Sequence, residues 1–302
     1  LERLGKAFES PEATPLGQLA KSGAPNPYFS GFRIVISGED AFGSLAALAD
    51  NAQRSLVLQY YLITNDASSR TLMRRVHAAA QRGVRVRLLM DDLNTAGEDE
   101  GLLCLTRHPN IEVRLYNPFP AGRLSTATRV MASLTDAKRI NQRMHNKMFV
   151  ADNALAITGG RNIGDAYFVQ SPESNFLDLD LLVAGPAVRE LSKSFDSFWN
   201  GPLAYAVHEI VKKEPKCAGP VSREPEKAKE AEPAPAAVSG DASGQGQPPP
   251  VRKDSVPIPA SSLAKDLAEK RLRLAWAPAA VVAVEPSEIA SGGAPERTQA
   301  IG

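Results

Sequence analysis

The stretch SLVLQYYLITNDASSRTLMRRVHAAAQRGVRVRLLM, residues 55–90, decides the fold. Its opening, Ser55–Leu62, is rich in leucine, valine and tyrosine and reads as a buried strand. Asn65 or Asp66 can cap a helix over about Ser68–Gln81 that stops at Gly83, and Val84–Met90 is a second strand. The alternation extends both ways, with a helix over Ala41–Ala52 upstream, and a helix near Asp99–Arg107 and a strand over Ile111–Tyr116 downstream. That order predicts an α/β fold with a mixed, mostly parallel sheet and helices on both faces.

Beyond a loop at about 119–142 come three short strands, Lys147–Ala151, Ala154–Thr158 and Leu177–Val183, the first two joined by a tight Asp152-Asn153 turn. Pro186 opens a helix whose apolar positions Val188, Leu191, Phe195, Phe198 and Trp199 fall at helical spacing and read as core. Five regions are expected: an irregular lead-in over 1–30, with its four prolines, and a catalytic domain over 31–208. A disordered Pro-, Ala-, Glu- and Lys-rich linker over 212–260, a helix-then-strand fragment over 261–290 and a tail over 291–302 follow.

At 302 residues and a net charge of +1, the chain has room for one sizeable core and shows no broadly basic character of the kind nucleic-acid backbones require. No run is long and apolar enough to span a bilayer, and the opening residues show no charged head followed by an apolar stretch. Cys104 and Cys217 lie far apart in different kinds of sequence, which predicts neither a metal box nor a disulfide, with Cys104 a buried thiol.

Chemistry concentrates at His145-x-Lys147-x4-Asp152 followed by Gly159-Gly160-x-Asn162. Cleaving a phosphodiester takes a nucleophile, neutralisation of the phosphoryl oxygens and a proton for the leaving alkoxide. In a strand His145 and Lys147 project from one face, so an imidazole can attack phosphorus while the ammonium holds an oxygen. Arg143 alternates onto that face and could assist. The Gly159-Gly160 pair lets backbone approach an anion, and Asn162 can donate to a phosphate. A nucleophilic histidine needs its second ring nitrogen oriented, and Asp178, with Asp180 close behind, is the expected carboxylate. With lysine supplying the cation, neither metal nor cofactor is called for. A lone histidine is more often an ordinary surface or core residue; the joint spacing of all six motif positions carries the signal.

Residues 144–168, MHNKMFVADNALAITGGRNIGDAYF, resemble the first motif of the phospholipase D superfamily, and within it the bacterial cardiolipin synthase C-type branch. GFRIVISGEDAF (31–42), GVRVRLLMDDLNTAG (83–97), HPNIEVRLYNPF (108–119) and FLDLDLLVAGPAVRELSKSFDSFWN (176–200) are similar to the same branch. The resemblance spans about 31–205, with a weaker echo at 271–286 that looks like the start of a second such half. It implies a phosphatidyltransferase working through a phosphohistidine on phosphatidylglycerol or phosphatidylethanolamine, at the surface of a bacterial membrane. His145 would then be the nucleophile, Lys147, Gly160 and Asn162 would hold the phosphate, and Asp152 would complete the motif at the turn. Members of the branch carry a second such motif, whereas none of His77, His108 and His208 is followed by a lysine two positions on. A homodimer would supply a second histidine. Otherwise the chain is an incomplete half that binds phosphate or anionic lipid, or pairs with another chain; a dimeric nuclease of the same superfamily is a third reading. The loop at 119–142, with Arg123, Arg129, Lys138 and Arg139 among apolar residues, suits a membrane interface or a merely exposed loop.

Overall fold

A computed structural model describes residues 5–95, 98–119, 142–212, 214–217, 255–283 and 286. A helix α1 (Pro15–Gly23) precedes β1 (Ser30–Val35), α2 (Gly38–Asn51), β2 (Ser55–Tyr60), α3 (Ala67–Gln81), β3 (Arg85–Asp91), α4 (Asp99–Thr106) and β4 (Ile111–Tyr116). Then come β5 (Met148–Ala151), β6 (Leu155–Gly159), β7 (Asp180–Ala184), α5 (Pro186–Trp199), β8 (Ala204–Ala206), α6 (Ser262–Ala268) and β9 (Ala275–Ala277). The strands form one nine-stranded sheet in the order β8-β4-β3-β2-β5-β6-β7-β1-β9.

The sheet is mixed, as expected, with the proportions reversed. Only β2–β3 and β3–β4 pair in parallel, and the other six pairings are antiparallel. The reason lies in the connections: α3 and α4 carry the chain back over the sheet between parallel neighbours, whereas β5 and β6 are joined by a turn and can only run antiparallel. Helices cover both faces. Phe42, Leu48, Leu72 and Val76 of α2 and α3 pack with Leu56, Leu58 and Phe149 on one face, and Phe195, Phe198 and Trp199 of α5 pack with Val57, Leu89 and Val150 on the other. The apolar stripe read on α5 is thus core, with Leu191 at its partly buried edge.

Three sequence readings change. Residues 1–30 are not wholly irregular: Thr14 caps α1 by accepting from the Gly17 amide at 3.1 Å, Pro15 starts it, and Leu16 and Ala20 are buried. Residues 262–268 and 275–277 pack onto the same domain, α6 against α2 and β9 along the edge of β1. Most of the span read as linker (218–254), the loop at 120–141 and nearly all of 284–302 lie outside the described residues. The cysteines also differ from expectation. Cys104 and Cys217 form a disulfide with Cα atoms 5.6 Å apart, closing a sequence separation of 113 that no spacing rule reveals.

That bond matters for α4, an eight-residue helix that buries only Leu102 and Leu103. Beside it, the Lys216 amide donates to Glu100 at 2.9 Å, so residues 214–217 are held to the helix by a covalent and a polar tie. Cys104→Ser should lower unfolding free energy by roughly 2–5 kcal/mol under oxidising conditions and by nothing further under reduction; equal denaturation midpoints for parent and variant without reductant would refute the pairing.

Candidate functional site

The site sits at the end of the sheet where β2 and β3 finish and β5 begins. Its position follows from an anchor at the other end of β5. Asp152, fully buried, accepts from the backbone amides of Arg54 and Ser55 at 2.7 and 3.0 Å and of Gln53 at 3.0 and 3.1 Å. Asp152 and Asn153 both take left-handed φ angles, 53° and 52°, at the turn into β6, a conformation that Asp and Asn tolerate best after glycine. With that end fixed, Leu56 pairs with Ala151 and Gln59 with Met148, which leaves Lys147 and His145 beside Tyr60 and Tyr61. Asp152 therefore lies seven residues, roughly 23 Å of extended chain, from His145. It belongs to the scaffold and not to the reacting centre.

His145 is exposed and Lys147 buried, just ahead of the strand rather than within it. The Lys147 Nζ lies 3.0 and 3.1 Å from the two ring nitrogens of His145 and donates to its carbonyl at 2.7 Å. Burial, then the neighbouring Lys147 cation, lower the His145 pKa from its ordinary 6.5, with Asp178 opposing. Burial likewise lowers that of Lys147, again opposed by Asp178. At neutral pH the imidazole is thus neutral, with a lone pair next to an ammonium, a pairing that can bring a nucleophile and a counter-charge to one phosphate.

Asp178 reaches both groups electrostatically, although its described hydrogen bond is to the Leu179 amide at 2.8 Å. Asp180, the other candidate, is spent: it is buried and paired with Arg161, Nη1 to Oδ2 at 3.2 Å. The two glycines allow close approach, though by the chain itself. A Cβ on Gly160 would fall 1.8 Å from Asp178 Oδ1, and one on Gly159 2.4 Å from the Leu179 carbonyl oxygen. Asn162 is nearly buried; its Oδ1 accepts from the Leu62 amide at 3.2 Å and its Nδ2 donates to the Tyr167 hydroxyl at 3.0 Å. One amide hydrogen is left for another acceptor. Arg143 turns away from the motif, with Nη1 3.2 Å from both Asp91 Oδ1 and the Asn117 carbonyl and its guanidinium 4.5 Å over the Phe119 ring.

Sequence reasoning missed two contributors. Tyr61 puts its ring 4.8 Å from that of His145 and 5.4 Å from the Lys147 Nζ, a cation–π contact. The signal was the doubled tyrosine at a strand end, where one ring must face the core and the other must not. Asp91 accepts from the Met144 amide at 2.9 Å and so pins the residue before His145. Burial pushes its carboxyl from 3.8 up to about 6, against the pull of Arg143. His77 and His108 meet edge-on at 5.3 Å away from the motif, and His208 is exposed on the short turn after β8. Among the described residues no group of three or more His, Cys, Asp or Glu could hold a metal ion, and no helix is long and apolar enough to cross a membrane.

Residues 45–199 match the family described as cardiolipin synthase, PLD-like domain. Over 160 residues the chain is 48% identical to cardiolipin synthase C of Escherichia coli (strain K12), covering 53% of this chain and 33% of that protein. It is 38% identical over 190 residues to an uncharacterised protein of Helicobacter pylori, covering 63% and 38%. The chain thus matches little more than a third of the length of these relatives. Among solved structures, Nuc, a phospholipase D family member from Salmonella typhimurium, aligns with a TM-score of 0.40 at 18% identity, covering 59% of this chain and 97% of that one.

Two measurements follow. By NMR the His145 ring should titrate below 6.5, and Lys147→Met should raise its midpoint because the neighbouring cation is gone; a midpoint unmoved by that change would dissociate the pair. Asp91 has a folded pKa above its unfolded one, so its contribution to stability is complete below the ordinary carboxylate range and is lost as pH rises through about 6. A shift of about two units corresponds to roughly 3 kcal/mol. Asp91→Asn should therefore shrink the difference in urea-unfolding free energy between acid and neutral pH by on the order of 3 kcal/mol, and an undiminished difference would contradict the raised pKa.

Proposed function

This chain belongs to the cardiolipin synthase, PLD-like domain family, and from that membership and the geometry at His145 we propose that it transfers a phosphatidyl group between alcohols at a membrane surface. The observation carrying this reading is the neutral, exposed imidazole of His145 held 3.0 Å from the buried ammonium of Lys147. The His145 ring attacks the phosphorus of phosphatidylglycerol or phosphatidylethanolamine, a P–N bond forms, and the P–O bond to the headgroup alcohol breaks with a proton delivered to the departing oxygen. A second alcohol then attacks the phosphohistidine, restoring the imidazole. With another phosphatidylglycerol as acceptor the product is cardiolipin; with water it is phosphatidic acid. Lys147 and the remaining Asn162 amide hydrogen hold the phosphoryl oxygens, the Gly160 backbone lines their approach, and Asp178 makes the neutral imidazole somewhat more basic through space.

One imidazole cannot serve at once as nucleophile and as the acid that protonates the leaving group. No other histidine of the chain carries the Lys spacing, so the proposal includes a second copy, or another chain of the family, presenting its own histidine opposite His145. A catalytically incomplete half that binds anionic phosphate is the second reading, favoured by the single motif and by the third or so of each relative that the chain matches.

Purified chain supplied with labelled phosphatidylglycerol in mixed micelles should form cardiolipin or phosphatidic acid, and His145→Ala should cut the rate by on the order of a thousandfold. A folded parent that makes neither product, yet retains phosphate in a Lys147-dependent way, would replace the transferase reading with the half-site one.

A further inference from the structure

At the opposite end of the sheet from His145, a cleft of about 790 Å³ opens where β2 and β3 begin, lined among others by Lys6, Arg54, Arg82, Arg85 and Arg87. This is an unusual concentration in a chain whose net charge is +1. Two of these side chains form its floor and are already paired: Arg85 with Glu112 at 3.0 Å, and Arg87, buried, with Asp196 at 2.7 Å. Among the described residues the other three have no carboxylate partner. Arg82 gives one nitrogen to the carbonyls of Ala49 and Asp50 at 2.8 and 3.0 Å, at the end of α2, and meets no carboxylate among the described residues. Arg54 lies over the Phe8 ring at 5.4 Å, and its backbone, not its guanidinium, serves Asp152. Lys6 rides on the N-terminal segment, which is fixed across this end by the Ala7 amide on Asp196 at 2.7 Å and by the Phe8 carbonyl on Asn153 at 2.8 Å. Glu9 is the one acid in the lining.

We propose that this cleft binds a phosphate-bearing anion at a site separate from the His145 centre. Its volume falls in the range of small-ligand sites, and guanidinium forks converging with an ammonium are the donor set that grips phosphate oxygens. Six residues of β2, about 20 Å of strand, separate the two ends of the sheet, so one phosphate cannot touch both. The clamped segment 5–10 makes the site preformed, since Lys6 is brought to the arginines by hydrogen bonds that do not involve its own side chain. The ligand's source is either a soluble phosphoester or the headgroup of an anionic lipid. The proposal stands whether or not His145 proves catalytic.

The test is calorimetric titration of the full chain with pyrophosphate in the Lys147→Ala background, which removes the cation of the His145 site. One binding event should remain there, and adding Lys6→Ala and Arg54→Ala should weaken it about tenfold or more while the melting temperature changes little, because both side chains are exposed and neither is in an ion pair among the described residues. Vesicles then separate the sources. Retention on phosphatidylglycerol vesicles, absent on phosphatidylcholine and lost in the double variant, assigns a lipid headgroup; pyrophosphate binding without vesicle retention assigns a soluble ligand. Loss of all pyrophosphate binding with Lys147→Ala alone, or unchanged affinity in the double variant, overturns the proposal.

Discussion

The carboxylate of Asp152, closed in by the amides of Gln53, Arg54 and Ser55, sets the geometry of everything that touches chemistry here. Three backbone donors meeting one buried carboxylate is a strong arrangement, because a buried charge left without partners would be costly. It also fixes register. A slip of one residue between β2 and β5 would turn Met148 and Val150 from the α5 side of the sheet to the other and throw Lys147 out of reach of Tyr61. The motif's aspartate thus acts at a distance, by deciding where its histidine stands.

The His145 end has a clamp of its own. Asp91 holds the Met144 amide and Arg143, and Asn117 donates to the Gln142 carbonyl at 2.9 Å, so residues 142–144 are fastened to the ends of β3 and β4. From Met148 onward β5 takes over. His145 and Lys147 occupy the short interval between two fixed stretches. That is why a lysine can sit within hydrogen-bond distance of a histidine without relying on the flexibility of either side chain. Burial of the ammonium and openness of the imidazole set the two apart: the charge stays put and the ring meets solvent.

How much of this was legible in sequence depends on the range of the interaction. The strand–helix–strand of 55–90, the α5 stripe and the Asp152-Asn153 turn are written in local pattern and chemistry, and the structure has them near the expected positions. The motif residues were also readable, since their offsets are local. The division of labour among them was not. Asp178 and Asp180 are two apart, one ahead of β7 and the other at its start, and only Arg161, reaching across from the glycine pair, separates a buried ion pair from a side chain near the site. Sheet direction failed for the same reason: alternation of strands and helices is visible over 55–116, while the long connection from β4 to β5 hides the reversal. Tyr61, Asp91 and the Cys104–Cys217 bond depend on partners distant in sequence, and beyond the doubled tyrosine nothing at the positions themselves announces them.

The disulfide has a topological consequence. Between Cys104 and Cys217 run β4, the whole His145 motif, β7 and α5, so these elements lie inside a single covalent ring. One peptide bond cut anywhere from 105 to 216 would open that ring without releasing a fragment. A nick there would pass unseen on a non-reducing gel and show as two pieces only after reduction. The His145 motif is thereby tethered at both ends to α4, and a single proteolytic event cannot carry it away.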